Sequence, residues 1–122
     1  KRTFEGVPLD EYQKNIRAII EKAEAADIKV LILTSTMIGE DPGKETNQKL
    51  NLYNDFLREI AKEKKLPIAD LNQDMLVALT SIPDVEAEAR MYGEPEYDRK
   101  VVNKLTTDGC HMNLLGNIMM AK

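Results

Sequence analysis

Ile28-Lys29-Val30-Leu31-Ile32-Leu33 decides how the chain is read. The run is too short for a helix, rich in apolar and β-branched residues, and nearly continuous rather than alternating. That pattern predicts a strand covered on both faces, and so a central strand of a parallel sheet. Gly39-Glu40-Asp41-Pro42-Gly43 follows as a dense group of turn residues, so the C-terminal end of the strand opens into a loop. Upstream, Leu9, Tyr12, Ile16, Ile19, Ile20 and Ala23 recur at three- and four-residue steps and predict the inward face of a helix over 9–26, with Pro8 suited to its first turn. Downstream, Leu50, Tyr53, Phe56, Leu57, Ile60 and Ala61 mark the inward face of a second helix from about Glu45 to Lys64. Leu66-Pro67-Ile68-Ala69-Asp70-Leu71 is a second short strand, with Pro67 where a strand can start.

Helix, strand, helix, strand is the rhythm of an open parallel α/β sheet. Helices over 73–80 and 84–92 come next, then a break at Gly93-Glu94-Pro95 and a polar, irregular stretch up to Thr107. A last helix begins at Leu114 with Asn113 as its N-cap and Met119 and Met120 in its core face. Two buried-type strands are too few for a sheet whose faces are both to be covered. The expectation is one partial α/β domain over 1–122, its sheet completed by an N-terminal half, by another chain, or by strands the pattern hides. The ends agree with this: the chain opens on Lys1-Arg2-Thr3-Phe4 without Met or a signal-peptide core, and closes inside a helix-favouring run.

Composition narrows the function. At 122 residues, 31% charged and 43% hydrophobic, the chain has the size of one domain. No apolar run approaches the roughly 20 residues of a spanning helix. A net charge of -4, scattered Lys and Arg, and an aromatic set of four Tyr and two Phe argue against a nucleic-acid surface. One cysteine, Cys110, makes no internal disulfide, and one histidine, His111, excludes a metal site built on paired imidazoles.

The sharpest local feature is Thr107-Asp108-Gly109-Cys110-His111-Met112-Asn113. A carboxylate stands three residues before the only histidine, with Gly109 between them to permit a turn that other residues resist. In such a turn Asp108 accepts the Nδ1 proton of His111 and leaves Nε2 to take a proton from a nucleophile. The same short pattern also fits a histidine capping or packing at a helix start, with Asp108 merely closing the turn.

From Leu105 to Asn117 the sequence LTTDGCHMNLLGN resembles the C-terminal block of the SGNH or GDSL hydrolases, a family of serine esterases and acylhydrolases. Ile28 to Thr36 is similar to the family's strand after its Asn-bearing block, Tyr53-Asn54 to its YN helix, and Leu66 to Leu71 to its PIADL strand. The resemblance implies part of a flavodoxin-like three-layer fold with a parallel sheet, the N-terminal strands lying outside this chain. It further implies ester hydrolysis of a carbohydrate O-acetyl or small acyl ester, without metal or organic cofactor. His111 is then general base and acid, and Asp108 orients it. The family's Gly-Asp-Ser block and its Gly and Asn oxyanion blocks have no counterpart here, so nucleophile and oxyanion donors are expected from the other half of the domain.

Thr34, Ser35 and Thr36, at the end of the first strand, are expected to line or support the cleft, since α/β sheets bind ligands at that edge. Ser35 lacks the tight Gly-flanked turn of a nucleophile, and Ser81 has no stronger claim. Cys110 reads as a buried spectator. Glu40, Asp41 and Glu45 fit a polar loop better than a cation site. Asn47, Asn51 and Asn54 read as capping, solvent-facing or supporting residues, and Lys62, Lys64 and Lys65 as a solvated helix end. The rival to an esterase is a non-catalytic α/β interaction module or degenerate homologue, whose open strand edge recruits another chain.

Overall fold

The computed structural model of the chain describes residues 6–82 and 103–121. Within them the elements run α1 (Leu9–Ala25), β1 (Ile32–Leu33), α2 (Glu45–Lys64), β2 (Ile68–Ala69), α3 (Leu71–Ser81) and α4 (Leu114–Met120). The helix expected over 84–92 and the break at Gly93-Glu94-Pro95 lie outside the described residues.

The α1 helix starts after Pro8, which stands just outside it in extended backbone, with Asp10 and Glu11 in the first turn and Lys22 in the last. Both charge placements complement the helix dipole. Neither α1 nor α2 stops on glycine. Asp27 and Lys65 take the left-handed conformation, at φ 56° and 55°, and the next N–H reaches back five residues, from Ile28 to the Ala23 carbonyl and from Leu66 to the Ala61 carbonyl, each at 2.8 Å. This Schellman closure turns each helix sharply into the strand that follows.

The two strands pair in parallel, Ile32 with Ile68 and Leu33 with Ala69. Ile32 N–H donates to the Pro67 carbonyl at 2.9 Å and Thr34 N–H to the Ala69 carbonyl at 3.1 Å. The ladder is shorter than the expected run over 28–33, because β2 offers partners only at its end. The far edge of β1 meets no strand among the described residues.

One face of this sheet is covered. Ile20 of α1 and Phe56, Leu57, Ile60 and Ala61 of α2 close over Ile32. Tyr12 stacks edge-on against Tyr53 and Phe56 at centroid distances of 5.0 and 6.3 Å, and Arg17 lies over the Phe56 ring while pairing with Glu63. On the other face Leu31 and Leu33 are 57% and 51% exposed, so among the described residues only one face of a strand expected to be covered on both is packed. Ile19 is likewise exposed, at 61%: a helix resting on one thin layer buries a narrower stripe than its apolar pattern allows. A second core joins Met37, Met75 and Leu105 between the loop after β1, α3 and the segment before α4. Met119 packs against it, whereas Met120 is 39% exposed, contrary to its expected place in the core.

Candidate active site

Asp108 builds its own turn. Its Oδ1 accepts the N–H groups of Cys110 at 2.9 Å and His111 at 2.7 Å, an Asx-turn that leaves Oδ2 aimed at the histidine ring. His111 Nδ1 meets that oxygen at 2.6 Å. Gly109 sits between them at φ 87°, where a Cβ would be strained and would meet the Gly39 Cα at 3.3 Å. The spacing Asp-x-x-His therefore produces the contact expected of it.

The frame around the turn is a narrow hairpin. Thr107 N–H and Oγ1 both donate to the His111 carbonyl, at 2.8 and 3.2 Å, Thr106 and Met112 form an antiparallel bridge, and Asn113 N–H reaches the Leu105 carbonyl at 2.9 Å. Leu105, fully buried, anchors the base of the hairpin. The α4 helix follows directly, with Asn113 Oδ1 capping the Gly116 N–H at 2.9 Å.

Electrostatics favour the ionised form of Asp108. The His111 N–H, then the imidazole, then the Cys110 N–H hold its carboxyl well below the usual carboxylate range. An ionised Asp108 can only accept, so in this contact Nδ1 is the donor. Both side chains stand open, His111 at 79% and Asp108 at 52% exposure. A cleft of about 490 Å³ borders Asp108, lined also by Glu40, Asp41, Lys44, Leu79 and Lys104 among others. A larger hollow of about 600 Å³, at Arg58, Lys65, Pro67 and Asp70, touches neither member of the pair.

The residues after β1 behave differently from one another. Thr34 is 2% exposed; its hydroxyl donates to Asp70 at 2.8 Å and accepts the Asn72 N–H at 3.0 Å. It braces the strand end and lines no open surface, because the parallel pairing turns it toward the start of α3. Ser35 is exposed and Thr36 half-buried, and among the described residues no hydrogen bond joins either to Asp108 or His111. Ser81 Oγ is engaged by the Val77 carbonyl within α3. Cys110 is exposed, not buried: the Asx-turn that draws its N–H to Asp108 leaves its side chain on the outside of the loop. Among the described residues no cluster of His, Cys, Asp and Glu is placed to hold a metal ion, and no helix is long and apolar enough to cross a membrane.

Three residues brace the loop after β1: Asn47 and Asn54, for which a supporting place was one of the expected alternatives, and Glu40, which was expected only in a polar loop. Asn54 holds Ser35 from both sides, accepting its N–H and donating to its carbonyl, each at 2.9 Å. Asn47 does the same for Ile38 and also donates to the Asp41 carbonyl at 2.7 Å. Their signal was position: both stand seven residues apart on the apolar stripe of α2, and a polar residue on a buried stripe implies a hydrogen-bond partner. Glu40 carried no signal, since its partners lie 64 to 66 residues away.

No protein-family model matches the sequence, and no curated protein matches it. Solved structures do. An acetyl xylan esterase, AlAXEase, superposes with a TM-score of 0.70 at 28% identity, over 96% of this chain and 54% of its own. The acetylxylan esterase Axe2 from Geobacillus stearothermophilus matches at TM-score 0.70 and 17% identity, over 94% of this chain and 44% of its own. The fold is that of the SGNH-type esterases. LAE5, an α/β hydrolase enzyme from the metagenome of Lake Arreo in Spain, agrees at TM-score 0.71 and 18% identity, over 98% of this chain and 47% of its own. Matched forms of Axe2 include two catalytic mutants, one replacing a serine and one a histidine by alanine. The chain thus spans about half the length of these hydrolases, and within that half of the SGNH-type fold it carries one paired carboxylate and imidazole at the loop before α4.

Proposed function

We propose that this chain supplies the histidine and its orienting carboxylate to a carboxylic ester hydrolase working by Ser-His-Asp acyl transfer. The observation that carries the reading is the 2.6 Å contact between His111 Nδ1 and Asp108 Oδ2, on a loop beside a cleft in an esterase-like fold. His111 Nε2 takes the proton of a serine hydroxyl as that oxygen attacks the ester carbonyl, then returns it to the departing alkoxide. In the second half-reaction it takes a proton from water as the water oxygen attacks the acyl carbon, then gives that proton to the serine oxygen as the acyl–oxygen bond breaks. Asp108 keeps the ring in the required tautomer and stabilises the transient imidazolium. The serine and the oxyanion donors come from the half of the fold beyond these 122 residues. Relatives of this shape that act on acetylxylan point to an acetyl ester on a carbohydrate as substrate.

The test uses the full-length protein and p-nitrophenyl acetate, followed by acetyl release from acetylated xylooligosaccharides. His111→Ala is expected to lower kcat by at least about 10³-fold; a rate close to wild type would remove the reading. The 122 residues by themselves are expected to hydrolyse no faster than their own His111→Ala control. His111-dependent turnover by the isolated chain would overturn the division of the triad and direct attention to Ser35 or Cys110. A module that only docked a partner through its open strand edge would show no His111 dependence in either form.

A further inference from the structure

The loop bearing Asp108 and His111 is gripped from beneath by one carboxylate. Glu40 Oε1 accepts the N–H groups of Leu105 at 2.7 Å and Thr106 at 2.8 Å and the Thr106 hydroxyl at 2.9 Å. Glu40 Oε2 accepts the Lys104 N–H. Three consecutive backbone donors and a hydroxyl thus converge on a side chain far away in sequence. Thr106, 3% exposed, gives its proton to Glu40, so the same hydroxyl is free to accept the Gly109 N–H at 3.1 Å. Glu40 is therefore connected through one hydroxyl to the residue that follows Asp108. Beside it, Gly39 N–H donates to the Gly109 carbonyl at 2.5 Å.

The grip is itself held. Asn47, 2% exposed, bonds Ile38 in both directions and also the Asp41 carbonyl, bracketing Glu40. Asn47 belongs to α2, a 20-residue helix packed into the main core. Hydrogen bonds from Asn47 of α2 thus fix the backbone on both sides of Glu40, and hydrogen bonds to Glu40 fix the base of the Asp108 hairpin. Exposed as they are, Asp108 and His111 have little packing of their own to locate them.

We propose that Glu40 is a positioning residue that sets where the Asp108–His111 pair stands relative to the sheet, an assignment that rests on the catalytic reading of that pair. Only a carboxylate meets all the donors. In a glutamine the second oxygen becomes an NH₂ facing the Lys104 N–H, donor against donor, and in alanine three backbone N–H groups lose their partner. The hydrogen bond from His111 to Asp108 is local and survives either change. What moves is the loop as a whole, and so the distance from Nε2 to the nucleophile.

The full-length protein is assayed as wild type, Glu40→Gln, Glu40→Ala and His111→Ala, well below the melting temperature of each. Because misplacement by about an ångström costs on the order of 100-fold, Glu40→Ala is expected to lower kcat by about 10- to 100-fold, with KM within about twofold, and Glu40→Gln to fall between it and wild type. In the same variants the downfield Nδ1 proton resonance of His111 is expected to persist but shift, reporting an intact pair in a displaced loop. A kcat for Glu40→Gln equal to wild type, with His111→Ala inactive, would overturn the positioning role and leave the esterase reading standing. Wild-type activity in His111→Ala would instead overturn the catalytic reading and the positioning role with it. Glu40→Gln keeps the shape of the side chain, so the comparison holds even where Glu40→Ala does not fold.

Discussion

With two backbone N–H groups on its Oδ1, the Asp108 carboxylate has its other oxygen to offer, and that oxygen meets the ring of His111. Orientation is achieved within four consecutive residues, without packing. Replacing Asp108 by Asn keeps one oxygen for the turn but removes the charge and presents either an amide donor or a neutral acceptor to Nδ1. Asp108→Asn is expected to lower kcat of the full-length protein by about 10⁴-fold while leaving its melting temperature close to wild type, since the side chain is half exposed. Steady-state kinetics beside a thermal melt checks both halves; a variant that lost stability and activity together would mean that the turn, not the tautomer, had been broken. This much was legible in the sequence, because every group involved lies within three residues. The partners of Asn47, Asn54 and Thr34 were not, since each depends on which neighbour the fold brings to it.

At the scale of elements, the α4 helix and the hairpin before it are joined at Gly116. A Cβ there would stand 2.2 Å from the Leu105 carbonyl oxygen and 2.8 Å from Met112 Sδ. The first of these is backbone, so the helix would have to move. Gly116→Ala is expected to destabilise the protein by about 1–3 kcal/mol, the usual range for overpacking a close contact, despite the better helix propensity of alanine. Moving α4 also strains the Asn113 cap and the Asn113-to-Leu105 hydrogen bond at the base of the hairpin. Urea unfolding followed by circular dichroism measures the loss; a variant as stable as wild type would show that α4 is not seated this tightly. The extent of α2 was readable from its apolar stripe and is the expected one, Glu45–Lys64. The close approach of α4 was not, because a glycine in a short helix looks the same whether or not a carbonyl lies against it.

Across the whole molecule, the end of the sheet is tied to α2 by a half-exposed charge network. Arg58 Nε and Nη2 donate to the two oxygens of Asp70 at 2.7 and 2.9 Å, and this pairing first, then the Thr34 hydroxyl and the Gln73 N–H, lowers the Asp70 carboxyl to about 2. A carboxylate depressed in the folded state stabilises it fully above the unfolded value near 3.8, and that contribution is lost as pH falls from there toward 2. Asp70→Asn is therefore expected to be less stable than wild type at pH 7, with the gap closing between about pH 4 and pH 2. Denaturant midpoints across that range test it; a gap independent of pH would assign the effect of the substitution to packing. The alternation of helices and strands, the inward face of α2 and the Asp108–His111 pair were determined by the sequence itself, since helical spacing, turn residues and a three-residue loop act over short distances. Tertiary structure alone decided that Glu40 holds the hairpin at Lys104 to Thr106, that Thr34 turns inward to Asp70, and that Leu31 and Leu33 stand open while Ile32 is covered. Those outcomes follow from groups dozens of residues apart meeting around one parallel strand pair, and no local pattern encodes which partner a carboxylate, a hydroxyl or a sheet face will find.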